Sequence, residues 1–150
     1  MIALSRTRPL TINVFAAAFL AAAVIALVDG LSDIPTMQAL LAANASGIGI
    51  DWSRDAVIVI LSARFSIALI PIALVWLTAA NFARWMVAVM ALGKLLGLPE
   101  GLALVADGGA IDTAWLASLA LGLLAVVMLF TPASNGWIAQ KQEADPAVFE

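Results

Sequence analysis

The chain has 150 residues, of which 64% are hydrophobic and 11% charged, and its mean hydropathy is +1.08. A soluble domain carries about 25% charged residues, so this composition excludes an ordinary soluble protein and indicates a single integral membrane domain over residues 1–150. The chain has no Cys and no His. Disulfides, thiol catalysis, thiolate metal sites and His-bound haem are therefore excluded, and we expect no metal and no cofactor.

The first predicted spanning helix covers residues 10–28, an uncharged apolar run. At about 1.5 Å per residue it is long enough for a hydrocarbon core of about 30 Å. Arg6 and Arg8 precede it, so a cleaved signal peptide is the alternative; cleavage would leave three helices and an N-terminus outside. The run exceeds the usual apolar region of about 7–15 residues and no small-x-small site closes it, so we expect a retained helix.

Residues 29–55 are too polar and too often interrupted to span a membrane. Pro35 suits the first turn of a short helix, and Gly47 and Gly49 suit its end. We therefore predict a short helix on the membrane surface, in the first outer loop.

Three more apolar runs predict spanning helices over residues 56–79, 82–98 and 113–130. Pro99 and Pro132 follow the last two runs and are interpreted as stops. Residues 138–150 are polar and predict a mobile tail. The expected fold is thus an all-α membrane protein with four transmembrane helices in a compact bundle.

The charged residues predict the orientation of this bundle. One end carries most of the basic residues outside the spans, namely Arg6, Arg8, Arg84 and Lys141. The other end carries seven acidic residues and Arg54; the acidic residues are Asp29, Asp33, Asp51, Asp55, Glu100, Asp107 and Asp112. The positive-inside rule then predicts a multi-pass protein of the cytoplasmic (inner) membrane with both termini in the cytoplasm. The seven basic residues of the chain do not cluster, so nucleic acid is not an expected partner.

The five tryptophans agree with this topology. Trp residues concentrate at membrane–water interfaces, where the ring is partly in lipid and partly in water. We predict interface anchors at the inner surface for Trp76, Trp85 and Trp137, and at the outer surface for Trp52 and Trp115.

Small residues recur at every fourth position in three of the predicted helices. The rows are Ala18, Ala22, Ala26 and Gly30, then Gly93 and Gly97, then Ala114, Ser118 and Gly122. Such rows let helix backbones approach closely, which favours association within lipid. They predict packing within the bundle, and equally contact with another membrane protein or with a second copy.

Arg64 and Lys94 are charged residues inside predicted spanning helices. The helix of Lys94 is expected to end near Leu98, about 6 Å further on, so the lysine could extend its ammonium toward the outer headgroups. Outer carboxylates would then pair with it; the candidates are Glu100, Asp107 and Asp112. The functional alternative is a cationic site at Arg64 and Lys94 for an anion, a lipid phosphate or a carboxylate, since an intramembrane charge costs at least about 2.5–3.5 kcal/mol.

Two short motifs carry a resemblance to a known group of proteins. "NFARWM" (81–86) opens the third helix and "LFTPASNGW" (129–137) closes the fourth, after "RPLTI" (8–12) before the first. With these the chain resembles a broad set of small bacterial four-helix inner-membrane proteins. The matching positions are Arg84, Trp85, Phe130, Pro132, Ser134 and Trp137. The resemblance implies the four-helix layout and no particular activity.

These observations favour a structural or accessory subunit without catalytic residues, because no nucleophile has a neighbouring base in the sequence. Its expected partners are the lipid bilayer and either another membrane protein or a second copy. The alternative is a small oligomeric transporter or channel that uses the cationic site. An enzyme acting on lipids is the least favoured reading.

Overall fold

The computed structural model describes residues 8–44, 51–106 and 112–143, and these are helical apart from short connections. Helix α1 (Leu10–Ser32) follows Pro9, which adopts extended backbone. Its buried residues are Ile12, Phe15, Ala18, Phe19, Ala22 and Gly30. The first five recur at intervals of three or four, and Gly30 follows eight residues later, so they lie on one side of the helix. This side packs most extensively against α6 (Thr113–Leu129) and next against α3 (Arg54–Ala73).

Helix α2 (Ile34–Asn44) is the short helix predicted in the first loop. Asp33 begins it, because the Asp33 carboxylate accepts a hydrogen bond from the backbone N–H of Thr36 at 3.2 Å. The Gln38 side-chain amide donates to the backbone carbonyl of Trp52 at 2.7 Å. That bond ties α2 to the segment before the next helix. Gly47 and Gly49, predicted to end this helix, lie outside the described residues.

Helix α3 (Arg54–Ala73) begins at Ser53, whose hydroxyl accepts from the backbone N–H of Ala56 at 3.3 Å. It runs through Pro71 into a π-helical segment, Leu74–Thr78. Proline removes one backbone donor from the helical ladder, and the wider π turn follows it directly. Ala79 then takes a left-handed conformation with φ of 55°, which reverses the chain into the next helix.

Helix α4 (Asn81–Leu95) is shorter than the predicted span over residues 82–98. A turn at Leu96 and Gly97 ends it, and α5 (Leu98–Ala106) begins with Pro99 in its first turn. The sequence pattern favours Pro99 as a helix stop, whereas the fixed φ and missing N–H of proline also suit the start of a helix. The fifteen residues of α4 extend over about 22 Å.

Helix α6 (Thr113–Leu129) begins at Asp112, whose carboxylate accepts from the Ala114 N–H at 2.9 Å. After a bend of 59°, α7 (Pro132–Glu143) continues the chain. The mobility expected for residues 138–150 stays a prediction, although the first part of this segment is helical. Residues up to Glu143 are helical and Ile138 is buried, because Pro132 begins α7 rather than ending all helix. Residues 144–150 lie outside the described chain.

The fold is therefore all-α, with several helices apolar and long enough for a membrane. Leu10–Ser32 and Arg54–Thr78 each meet that requirement alone. A third span results if α6 and α7 cross together as one bent pair. The chain is thus a candidate multi-pass membrane protein with two or three such spans, and the four expected spans are not established by helix length.

Candidate functional site

The hairpin of α3 and α4 brings the two predicted intramembrane cations to the same level. Arg64 precedes Thr78, and Lys94 follows Asn81, by nearly the same number of residues. At about 1.5 Å per residue both therefore lie about 20 Å from the connection between the helices. The charge of Arg64 acts on Lys94 across the two helices. We call these two residues the cation pair.

Lys94 is held by a hydrogen-bonded chain that crosses three helices. Its Nζ donates to the Ser118 hydroxyl on α6 at 2.6 Å. Ser118, which is only 3% exposed, donates in turn to the backbone carbonyl of Ala22 on α1 at 2.9 Å. The lysine head therefore points sideways into the helix packing, and its half-buried stem does not run toward the end of α4.

Of the three carboxylates expected to pair with Lys94, only Asp112 has a described side chain, and it does not pair with Lys94. Asp112 instead caps α6 and interacts electrostatically with Asp29. The side chains of Glu100 and Asp107 are outside the described residues. Among the side chains that the structure describes, no carboxylate lies within salt-bridge distance of Lys94.

Arg64 is in a different state from Lys94. Its side chain is exposed on α3, and within the described ranges it forms no hydrogen bond, ion pair or ring contact. A guanidinium has five N–H donors in a planar fork that matches a carboxylate or phosphate. The cation pair thus offers a full arginine fork beside a lysine that is already positioned.

A second polar cluster lies where α6 bends into α7. Arg84 donates through Nη1 to the Asn81 side chain at 3.2 Å and through Nη2 to the Asn135 side chain. Its guanidinium carbon is 4.6 Å from the centre of the Phe130 ring, and Trp85 meets that ring edge-on at 5.6 Å. We call this cluster the α6–α7 joint.

Ser134 completes the α6–α7 joint from α7. It is fully buried and donates to the backbone carbonyl of Met128 at 2.8 Å. The hydroxyl oxygens of Thr11 and Thr131 lie 2.8 and 3.0 Å from the Ser134 hydroxyl oxygen. The motif residues Arg84 and Trp85 thus meet at Phe130, and Ser134 lies on the same bend. The sequence interpretation assigned no role to Thr11 or Asn135, although both lie within the quoted motifs, and it expected Asn81 to bond to helix backbone.

Each tryptophan predicted at the inner surface lies near a cation. Arg8 stacks 3.7 Å from the centre of the Trp76 ring, and Lys141 is 5.5 Å from that of Trp137. Trp85 shares Phe130 with Arg84. Trp76 also donates to the Asn13 side chain at 3.4 Å. Of the pair predicted at the outer surface, Trp52 bonds α2 through its backbone and Trp115 is half-buried.

The rows of small residues divide between buried and exposed positions. Buried members are Ala18, Ala22, Gly30, Ser118 and Gly122. A Cβ at Gly30 would come within 2.8 Å of the Leu61 side chain, so α1 and α3 approach closely there. Gly97 and Ala114 are half-buried, whereas Ala26 and Gly93 are exposed. Ala26 and Gly93 lie on the outward side of their helices, so a packing role for them would require another protein or a second copy.

The described residues contain no group of three or more Asp or Glu side chains placed to hold a metal ion. Asp112 and Asp33 act electrostatically on Asp29, which lies near the end of α1. Comparisons of the chain with protein-family models, with curated proteins and with solved structures found no match.

Proposed function

We propose that this chain is a non-catalytic accessory subunit of the cytoplasmic membrane that packs against another membrane protein. One observation carries the proposal: Arg64 is exposed, without a partner in the described chain, on a helix apolar enough to span. A charge in that position costs several kcal/mol unless something pairs with it. A second protein that covers α3 removes this cost.

The proposal includes four crossings with both termini in the cytoplasm. Three cations, Arg8, Arg84 and Lys141, lie beside the aromatic residues that would anchor one surface. Acidic residues would lie at the opposite surface. Asp51 precedes α3, Asp55 is in its first turn, and Asp112 is the N-cap of α6. The third crossing would begin with α4, which extends over about 22 Å, and would be completed by the turn at Leu96 and Gly97 and by α5.

Purification of the tagged chain from its native membrane in mild detergent tests the proposal. We expect one other membrane protein to be retained in stoichiometric amount and identified by mass spectrometry. That partner should lose stability or activity when the gene for this chain is deleted. A homo-oligomer without any other protein, and no phenotype in the partner's activity, would contradict the accessory role.

A small oligomeric transporter or channel is the second candidate, because the cation pair places two positive charges at one level of α3 and α4. It predicts anion flux in proteoliposomes made with the purified chain. Arg64→Gln should abolish that flux, whereas Arg54→Gln, at the first residue of the same helix, should leave it unchanged. Equal flux in empty liposomes and proteoliposomes would eliminate this candidate.

A further inference from the structure

We infer that the cation pair binds a carboxylate that the partner carries within one of its membrane-spanning helices. The inference rests on the proposed accessory role and adds the chemistry of the partner. It follows from the depth of Arg64, from the direction of Lys94 and from the positions of the acidic residues in this chain.

Arg64 lies near the middle of the span Arg54–Thr78. It is about 15 Å along the axis from Arg54 and about 21 Å from Thr78. Trp52 and Trp76 bracket it at equal sequence distances. When the span is centred in a hydrocarbon core of about 30 Å, Arg64 starts about 12 Å below the edge of that core. An extended arginine reaches about 6 Å, so snorkelling does not bring it to a phosphate without deforming the bilayer.

The ammonium of Lys94 does not extend toward the lipid headgroups either. Its Nζ is fixed on Ser118, in the packing between α4 and α6. Two like charges therefore sit at one level, one held in the bundle and one open to its surroundings. An anion that pairs with Arg64 reduces the repulsion between the two cations and ends the unpaired state of Arg64.

A second copy of this chain has no carboxylate to offer at that depth. The candidate span Leu10–Ser32 has one carboxylate, Asp29, three residues before its end, and residues 113–130 contain no Asp or Glu. Asp55 lies in the first turn of α3. A carboxylate in the interior of another protein's helix supplies the missing charge. Arginine and carboxylate pair through two parallel hydrogen bonds, which favours this group over a single-atom acceptor.

A synthetic helix tests the inference with the full-length chain in phosphatidylcholine vesicles. The probe is a spanning peptide of Leu and Ala with one central Glu, and its control has Gln at the same position. Energy transfer between labelled protein and labelled peptide measures association. We expect the Glu peptide to associate at least about tenfold more tightly than the Gln peptide, a difference of about 1.4 kcal/mol.

The variants separate the cation pair from other positive charges. Arg64→Gln should remove the preference for Glu, Arg64→Lys should restore part of it, and Arg54→Gln should retain it in full. Arg64 is exposed and forms no hydrogen bond, ion pair or ring contact among the described residues, so its replacement should leave the packing intact; circular dichroism and gel filtration check this. Equal association of the Glu and Gln peptides with the unaltered chain overturns the inference.

Anionic lipid is the competing occupant, and phosphatidylglycerol tests it. If labelled phosphatidylglycerol binds through Arg64 and erases the Glu preference at physiological content, the site belongs to a lipid headgroup and the inference fails. The accessory role fails separately. A Glu preference without any co-purified partner removes the accessory role alone, and a co-purified partner without a Glu preference removes only the carboxylate assignment.

Discussion

Arg64 in the cation pair and Arg84 in the α6–α7 joint are both arginines, but they differ in how far the chain itself supplies partners for the guanidinium. Arg84 has an acceptor for each terminal nitrogen and an aromatic ring beneath it. Arg64 has none of these within the described ranges, and its neighbour Lys94 adds repulsion. The Arg84 Nε is buried without a hydrogen-bond partner, so only the two terminal nitrogens of Arg84 are bonded within the described residues. A cation bonded in this way contributes to the fold, whereas an exposed cation without bonds is available to a group from outside.

The largest expected effect concerns the free-energy cost of inserting Arg64 into the membrane. Arg64→Leu should improve insertion of the segment Arg54–Thr78 by about 3 kcal/mol, because arginine at a helix centre is disfavoured and leucine is favoured. Translocon insertion of this segment within a reporter protein measures the change. Arg54→Leu is the matched control and should improve insertion by less than about 1 kcal/mol. A similar gain at both positions would show that Arg64 is not at mid-depth.

Replacement of Arg84 should lower the stability of the folded protein, in contrast to replacement of Arg64. Arg84→Leu removes two charge-assisted hydrogen bonds and the ring contact, so we expect a loss of about 2 kcal/mol in the free energy of unfolding. Denaturation in mixed micelles measures it. Arg64→Leu should leave that stability unchanged or raise it. The Arg84→Leu and Asn135→Ala changes should be less than additive, and strict additivity would contradict the bond between them.

Ser118 connects the two regions, since its bonds make Lys94 part of the bundle. Ser118→Ala should cost about 1–3 kcal/mol, because the buried Lys94 head loses its acceptor. Lys94→Met in the same background should recover most of that loss by removing the unsatisfied charge. Thermal unfolding of the single and double variants measures both effects. Failure of the second change to compensate would mean that Ser118 acts through Ala22 alone.

The sequence predicted the apolar helices better than their ends. Apolar runs locate α1, α3 and α6 because lipid and protein interiors require the same side chains over a fixed length. Pro99 and Pro132 were misread since proline both stops one helix and starts another. Only the surrounding packing decides between these roles.

The candidate site was predicted in its residues but not in its contacts. Arg64 and Lys94 stand out as charges in apolar runs. The Ser118 partner of Lys94 could not be found, because it lies on another helix and serine is common in spanning segments. The number of residues from the hairpin connection was the one available sign that the two cations lie at the same level.

The smallest effect is expected at Asp33, which bonds to Thr36. Unlike the two arginines, Asp33 lies outside the proposed spans. The side chain of Thr36, and then its backbone N–H, hold the pKa of the Asp33 carboxyl below its ordinary 3.8. The contribution of this cap to α2 is therefore present above pH 3.8 and is lost as the pH falls through the lowered pKa. Amide exchange at Thr36 should accelerate over that range. Asp33→Asn caps without titrating, so its exchange should lack this additional acceleration; the same acid-induced increase in the variant would show that Asp33 is not the titrating group.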